Sequence, residues 1–213
     1  MIPDEIFLKI LRITVKAPSG HNTQPWFFSR EDDGICITPD FSRSLPVADP
    51  ENRELFISLG CAAETAMIAA RFYGYNAELD NELLKNQGNI KIMLSKNEKS
   101  EVPDLFSFIK SRQTTRNVYR DSPVSDDDLI KLKQIVTESE IDLEFYIGQD
   151  KINTFLPYIF EANTIQMSNP NFKPELKQWL RFSEKEALQK GDGLYAACSG
   201  MPSPGRSIGN FIV

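Results

Sequence analysis

The segment from about Glu51 to Tyr73 constrains the fold more than any other part of this 213-residue chain. Leu55, Phe56, Leu59, Ala62, Ala63, Ala66, Met67 and Ala70 recur at helical spacing and form a wide stripe of mostly small side chains. Small residues let neighbouring backbones approach closely, so the pattern predicts a long central helix with other elements laid against it. Gly74 stands where a C-terminal cap would end it.

The surroundings of this helix predict an α+β domain. Residues 4–16 put Phe7, Ile10, Leu11 and Thr14 on one helical face, with Pro3 and Asp4 at its start. GICIT (34–38) reads as a strand, as do residues 77–80 and 89–94, the latter with alternating NIKIML. Further on, SDDDLIKLKQIV starts a helix with Ser125 and Asp128 in capping-box positions. DLEFYI (142–147) reads as a strand, and helices are expected at about 151–168 and 175–182, the second opened by Pro174. The Gly- and Pro-rich tail from Gly191 has no assigned structure.

An offset of 122 residues lays Phe7 on Leu129, Ile10 on Leu132, Ile13 on Ile135 and Asp4 on Asp126. Amphipathic helices align easily, so this repeat alone is thin evidence. The net charge of −6 argues against non-specific nucleic-acid binding, and any phosphate site must rest on a local basic cluster. No apolar run reads as a membrane span, and the acidic, amphipathic MIPDEIFLKI does not read as a secretory signal. Cys36, Cys61 and Cys198 are scattered and never paired as C-x-x-C, so neither a disulfide framework nor a metal site is expected. A reducing, cytoplasmic setting fits them.

Two clusters carry chemistry. The first lies in APSGHNTQPWFF (17–28): Pro18, Ser19, Asn22, Gln24, Pro25 and Trp26. Hydroxyl, amide and backbone groups there can hydrogen-bond the edge of a flat heteroaromatic ligand, and the prolines fix local geometry. The competing structural reading is a Pro-stapled loop whose Trp26 plugs the core. The second is Arg112, Thr114 and Arg116, an R-x-T-x-R run beside Lys110. Two guanidiniums and a hydroxyl can grip a phosphate. The alternative is a solvated helix end favoured by the helix dipole.

SRQTTRNVYRDSPVSDDDLIKLKQI resembles the opening of the nitroreductase family of FMN enzymes, and APSGHNTQPWFF is similar to that family's A-P-S-x-x-N-x-Q-P-W segment. The order is unusual, because the arginine run precedes the second helix copy while the Q-P-W segment follows the first. This arrangement, with DPENRELFISLGCAAE (49–64), resembles the Acg-like branch, in which two nitroreductase-like halves share one chain. The resemblance implies a nitroreductase-like α+β fold with a mixed or antiparallel sheet. It also implies halves at 1–100 and 101–213, a possible homodimer, and a missing C-terminal portion that Arg206 does not replace.

The resemblance further implies one composite FMN site. Arg112, Thr114 and Arg116 would hold the phosphate, and Pro18, Ser19, Asn22 and Gln24 would border the ring. The implied activity passes hydride from NAD(P)H through the flavin to a nitroaromatic, quinone or similar small-molecule acceptor. The alternative is a non-catalytic, flavin-sequestering protein of the same fold. A scaffold half that needs a second chain to fold fully is the third reading. No G-x-G-x-x-G strand–helix fingerprint separates NADH from NADPH. The cofactor would carry the chemistry, so no catalytic acid, base or nucleophile is expected, and the lone His21 has no triad partner in the sequence. Asp192 and Tyr195 are residues of the tail whose spacing does not assign them to a pocket.

Overall fold

In a computed structural model, residues 2–31, 34–80, 88–97, 103–114, 116, 118–120, 122–135 and 141–199 are described. Arg206 and the end of the tail lie outside them. By contacts the chain divides into two compact units, Met1–Arg116 with Lys173–Val213, and Asn117–Phe172.

The first unit is built on α2 (Arg53–Phe72), which runs 20 residues as the alanine stripe predicts. Leu59, Ala62, Ala66, Ala69 and Ala70 have no exposed surface. Because these side chains are short, α1 (Asp4–Thr14) and a four-stranded antiparallel sheet both pack onto the same helix. By length and composition alone α2 could cross a membrane, contrary to the sequence reading that no run qualifies. Its apolar character is accounted for by the core it fills.

The sheet comprises β1 (Trp26–Glu31), β2 (Gly34–Pro39), β3 (Tyr75–Asp80) and β4 (Ile90–Lys96), in spatial order β1-β2-β4-β3. β2 and β3 both pair antiparallel with β4, so they run in the same direction, joined through α2 with β4 inserted between them. Ile35 lies opposite Ile92 and Ile37 opposite Ile90, and these four enter the core that α1 and α2 cover. Such cross-strand pairs of β-branched residues on a buried face fix register, since a one-residue slip would turn them outward. A side chain on Gly34 would meet the Ile92 carbonyl at 2.0 Å, so the β2–β4 approach requires glycine there.

This unit also contains β5 (Leu180–Arg181), α7 (Glu184–Lys190) and β6 (Leu194–Tyr195), with β5 and β6 pairing in parallel. The second unit carries α3 (Asp126–Ile135), α4 (Gln149–Asn153) and α5 (Leu156–Ser168), and α6 (Phe172–Trp179) begins at its end. Ser125 caps α3 by accepting the Asp128 amide at 3.2 Å. Tyr158, Ile159, Phe160 and Ile165 of α5 are exposed.

Several sequence expectations are corrected. Residues 26–31 form a strand rather than the end of a loop, because GICITP supplies the antiparallel partner that a local reading does not show. Residues 142–147 form no strand, and no partner strand pairs with them among the described residues. The expected helix at 151–168 is two helices, α4 and α5, interrupted before Pro157, which has no backbone N–H to donate across the junction. The expected 175–182 helix starts earlier and ends at Trp179, where the chain turns into β5.

Leu59 is fully buried in this core, whereas Leu8 on α1 is 52 % exposed. Leu59→Ala is expected to cost about 2–5 kcal/mol in urea denaturation. Leu8→Ala is expected to stay within about 0.5 kcal/mol of the parent.

Candidate functional site

Between α1 and β1 the chain makes the tight loop of Pro18–Pro25. His21, Asn22 and Gln24 all adopt positive φ (49°, 54° and 54°), a region costly for residues with a Cβ. Three such residues within four positions persist only where surrounding contacts hold them. From below, the Gly20 amide donates to Ser58 Oγ of α2 at 3.2 Å. Within the loop, the Gln24 amide donates to Ser19 Oγ at 2.9 Å. From the side, Arg43 Nε donates to the Thr23 carbonyl. Trp26 is buried in the core beside the loop, as its structural reading expected, and Pro25 is fully buried.

Facing this loop is a cleft of about 390 Å³. It is lined by Val15, Lys16, Ala17, Pro18, Ser19, Asn22, Gln24, Arg112, Thr114, Arg116, Gly191 and Leu194. All seven sequence-selected residues, Pro18, Ser19, Asn22, Gln24, Arg112, Thr114 and Arg116, therefore meet at one cavity within one unit of a single chain. Three lining residues are cations, Lys16, Arg112 and Arg116, and no described lining residue is an acid. In a chain of net charge −6, this makes the cleft a local positive concavity. Arg112 leans on the Lys16 carbonyl at 3.4 Å. Arg116 and Thr114 are exposed and have no side-chain partner among the described residues.

The Asn22 and Gln24 amides already have partners within the chain. Gln24 Nε2 donates to the Gly191 carbonyl at 2.7 Å, and Asn22 Nδ2 donates to the Gly193 carbonyl at 3.2 Å. The Gly193 amide returns a hydrogen bond to the Asn22 carbonyl at 3.1 Å. Asn22 and Gln24 thus border the cleft while fastening the Gly-Asp-Gly turn of 191–193 to the loop. This turn was not legible as site structure, because its partners lie about 170 residues away. Gly193 has φ +80°, and a Cβ there would meet the Trp179 carbonyl at 2.3 Å.

A second hollow of about 360 Å³ shares Asn22, Arg116, Gly191 and Leu194 with the cleft and adds Leu188, Asp192, Tyr195 and Cys198 to the wall. Asp192 and Tyr195, which spacing left unassigned, line this part. Burial alone would raise the Asp192 carboxyl. Hydrogen bonds from Arg181 and Arg43 outweigh it and hold the group below its ordinary value. Burial pushes the His21 imidazole below its ordinary value; Glu54 and Glu175 pull it upward, and Arg116 adds to the downward push. Among the described residues no cluster of His, Cys, Asp and Glu could hold a metal ion.

An α+β chain with an antiparallel sheet and a basic cleft under a strained Pro-Ser-Asn-Gln loop is the class that these observations define. No family model matches the chain. A Mycobacterium tuberculosis protein with the provisional name NAD(P)H nitroreductase Rv3131 is 25% identical over 211 residues, 94% of this chain and 55% of that protein. A Serratia protein with the provisional name NAD(P)H nitroreductase PigM is 22% identical over 194 residues, 87% of this chain and 54% of that protein. A third relative, the M. tuberculosis protein with the provisional name NAD(P)H nitroreductase acg, is 26% identical over 80 residues, 38% of this chain and 24% of that protein. The chain spans about half the length of the first of these relatives. All three similarities are distant, at 22–26% identity, and the name of each of these relatives is that of an NAD(P)H nitroreductase.

His21 is the chain's one histidine, so a single imidazole NMR titration reports on the loop. Its midpoint is expected below about 6.5. Between that midpoint and 6.5 the unfolded chain binds the proton that the folded chain refuses, so stability falls as pH drops through this window and then levels off. His21→Gln should remove that slope from pH-dependent urea denaturation.

Proposed function

We propose that the cleft binds FMN and that the protein is an FMN-dependent NAD(P)H oxidoreductase of nitroreductase-like fold. The observation that carries this reading is the basic edge: Lys16, Arg112 and Arg116 in a cleft with no described acid, in a net-negative chain. A flavin mononucleotide presents a dianionic phosphate at one end and a flat ring with polar edges at the other. The residues present fit both ends. The cleft's volume falls in the range of roughly 300–1,000 Å³ usual for small-molecule sites.

In this reading Arg112 and Arg116 hold the phosphate through charge-assisted hydrogen bonds, and Thr114 adds a hydroxyl. Pro18 and Ser19 border the ring, with the Ser19 hydroxyl hydrogen free to donate while its oxygen accepts the Gln24 amide. Asn22 and Gln24 border it too, and contribute by fixing the turn of 191–193. The bound flavin would supply hydride chemistry between NAD(P)H and a nitroaromatic, quinone or similar acceptor. The protein's own part is to bind, orient and screen from water. No side chain of the cleft is assigned a proton-transfer role.

Titration of FMN into the full chain, followed by quenching of flavin fluorescence, tests the reading. Saturable binding is expected, weakened at least tenfold in Arg112→Ala/Arg116→Ala with no change in thermal midpoint. Bleaching of the bound flavin by NADH or NADPH would mark an oxidoreductase, and its absence a flavin store. A folded wild-type protein that ignores FMN would overturn the proposal.

A further inference from the structure

We propose that Asp192 is the positioning residue of the cleft: clamped between Arg43 and Arg181, it sets the Gly191–Gly193 turn against Asn22 and Gln24 and so maintains the loop that shapes the binding surface. The inference rests on the FMN reading for its ligand, but its geometry stands on the chain alone.

Asp192 joins two segments distant in sequence. Its Oδ1 accepts from Arg181 Nη2 at 2.6 Å and from Arg181 Nε at 3.2 Å, and its Oδ2 accepts from Arg43 Nη2. Arg43, in the turn after β2, also reaches the Thr23 carbonyl inside the strained loop. Arg181, in β5, is 4 % exposed and donates to the Gln178 carbonyl at 2.8 Å. Both guanidiniums lie over the Trp179 ring, at 5.5 Å and 6.0 Å from its centroid. One carboxylate therefore bridges two guanidiniums, one reaching the Thr23 carbonyl of the loop and the other buried in β5.

The glycines on either side of Asp192 convert that clamp into loop geometry. Gly191 offers its carbonyl to Gln24, while Gly193 gives its carbonyl and its amide to Asn22. Asn22 and Gln24 are two of the three non-glycine residues at positive φ in the loop, so these bonds fall where external support is needed most. Neutralising Asp192 leaves Arg181 buried without its counter-charge, an arrangement that a low-dielectric site penalises. The carboxylate is assigned no catalytic role, since each of its oxygens already accepts from an arginine.

The test uses the full chain with Asp192→Asn, which keeps volume, and Arg43→Gln, which removes the cation on the more exposed side of the clamp. Amide hydrogen exchange is read over residues 20–24 and 191–195, with α2 as the internal reference, and FMN affinity is measured alongside. The expected result is at least tenfold faster exchange in both segments, unchanged exchange in α2, and at least tenfold weaker FMN binding. Adding Gln24→Ala to Asp192→Asn is expected to weaken binding less than threefold further, since both act through one turn. Unchanged exchange in the two segments, uniformly faster exchange throughout the chain, or fully multiplicative losses would overturn the proposal. If Asp192→Asn does not fold, Arg43→Gln decides by the same criteria. If the wild type binds no FMN, the functional reading fails and the exchange experiment alone decides the role of Asp192.

Discussion

Close packing on the alanine face of α2 is the constraint from which the site follows. Because Ala62, Ala66, Ala69 and Ala70 project little, α1 and the sheet both reach the helix axis closely, and the end of α1 is delivered beside the start of β1. The loop joining them has few residues in which to reverse direction. It does so with three non-glycine residues at positive φ, over a helix that offers Ser58 as an anchor. A larger side chain along the stripe would force α1 or the sheet to shift.

The cleft divides its labour between rigid and exposed groups. The Pro18–Pro25 loop is held by backbone and amide hydrogen bonds, so its surface is preformed and little ordering remains to be done on binding. The basic side, Arg112 and Arg116, is exposed, and its guanidiniums are long, hydrated and able to converge on an anion. Between them the Gly-Asp-Gly turn acts as the joint. Its carboxylate is wholly engaged by Arg43 and Arg181, which leaves the cations of the cleft uncompensated by it.

Much of this was legible in the sequence because it was local. The period of α2, the face of α1 and the alternation of NIKIML each declare themselves within a few turns or residues, and the structure has these elements. The two segments chosen for chemistry, 18–24 and 112–116, meet at one cavity, and motif resemblance rather than spacing brought them together on paper. What stayed hidden was non-local. β1 exists because β2 pairs with it, and Arg43, Arg181 and Asp192 look like ordinary surface charges until the fold brings them together across as many as 149 residues. The misread strand at 142–147 fails for the same reason in reverse: its local pattern is strand-like, but the described chain gives it no partner. Likewise, Asn22 and Gln24 were read as groups able to hydrogen-bond a flat ligand, and only the structure shows that they also donate to the 191–193 turn.

In the proposed reading, one chain assembles a flavin site from its strained loop and its arginine run. A crystal structure of the full chain grown with FMN would locate that site. A phosphate is expected within hydrogen-bonding distance of the Arg112 and Arg116 guanidiniums, with the ring edge against Pro18–Gln24 of the same chain. A flavin bound elsewhere, or density in the cleft that leaves both arginines uninvolved, would contradict it.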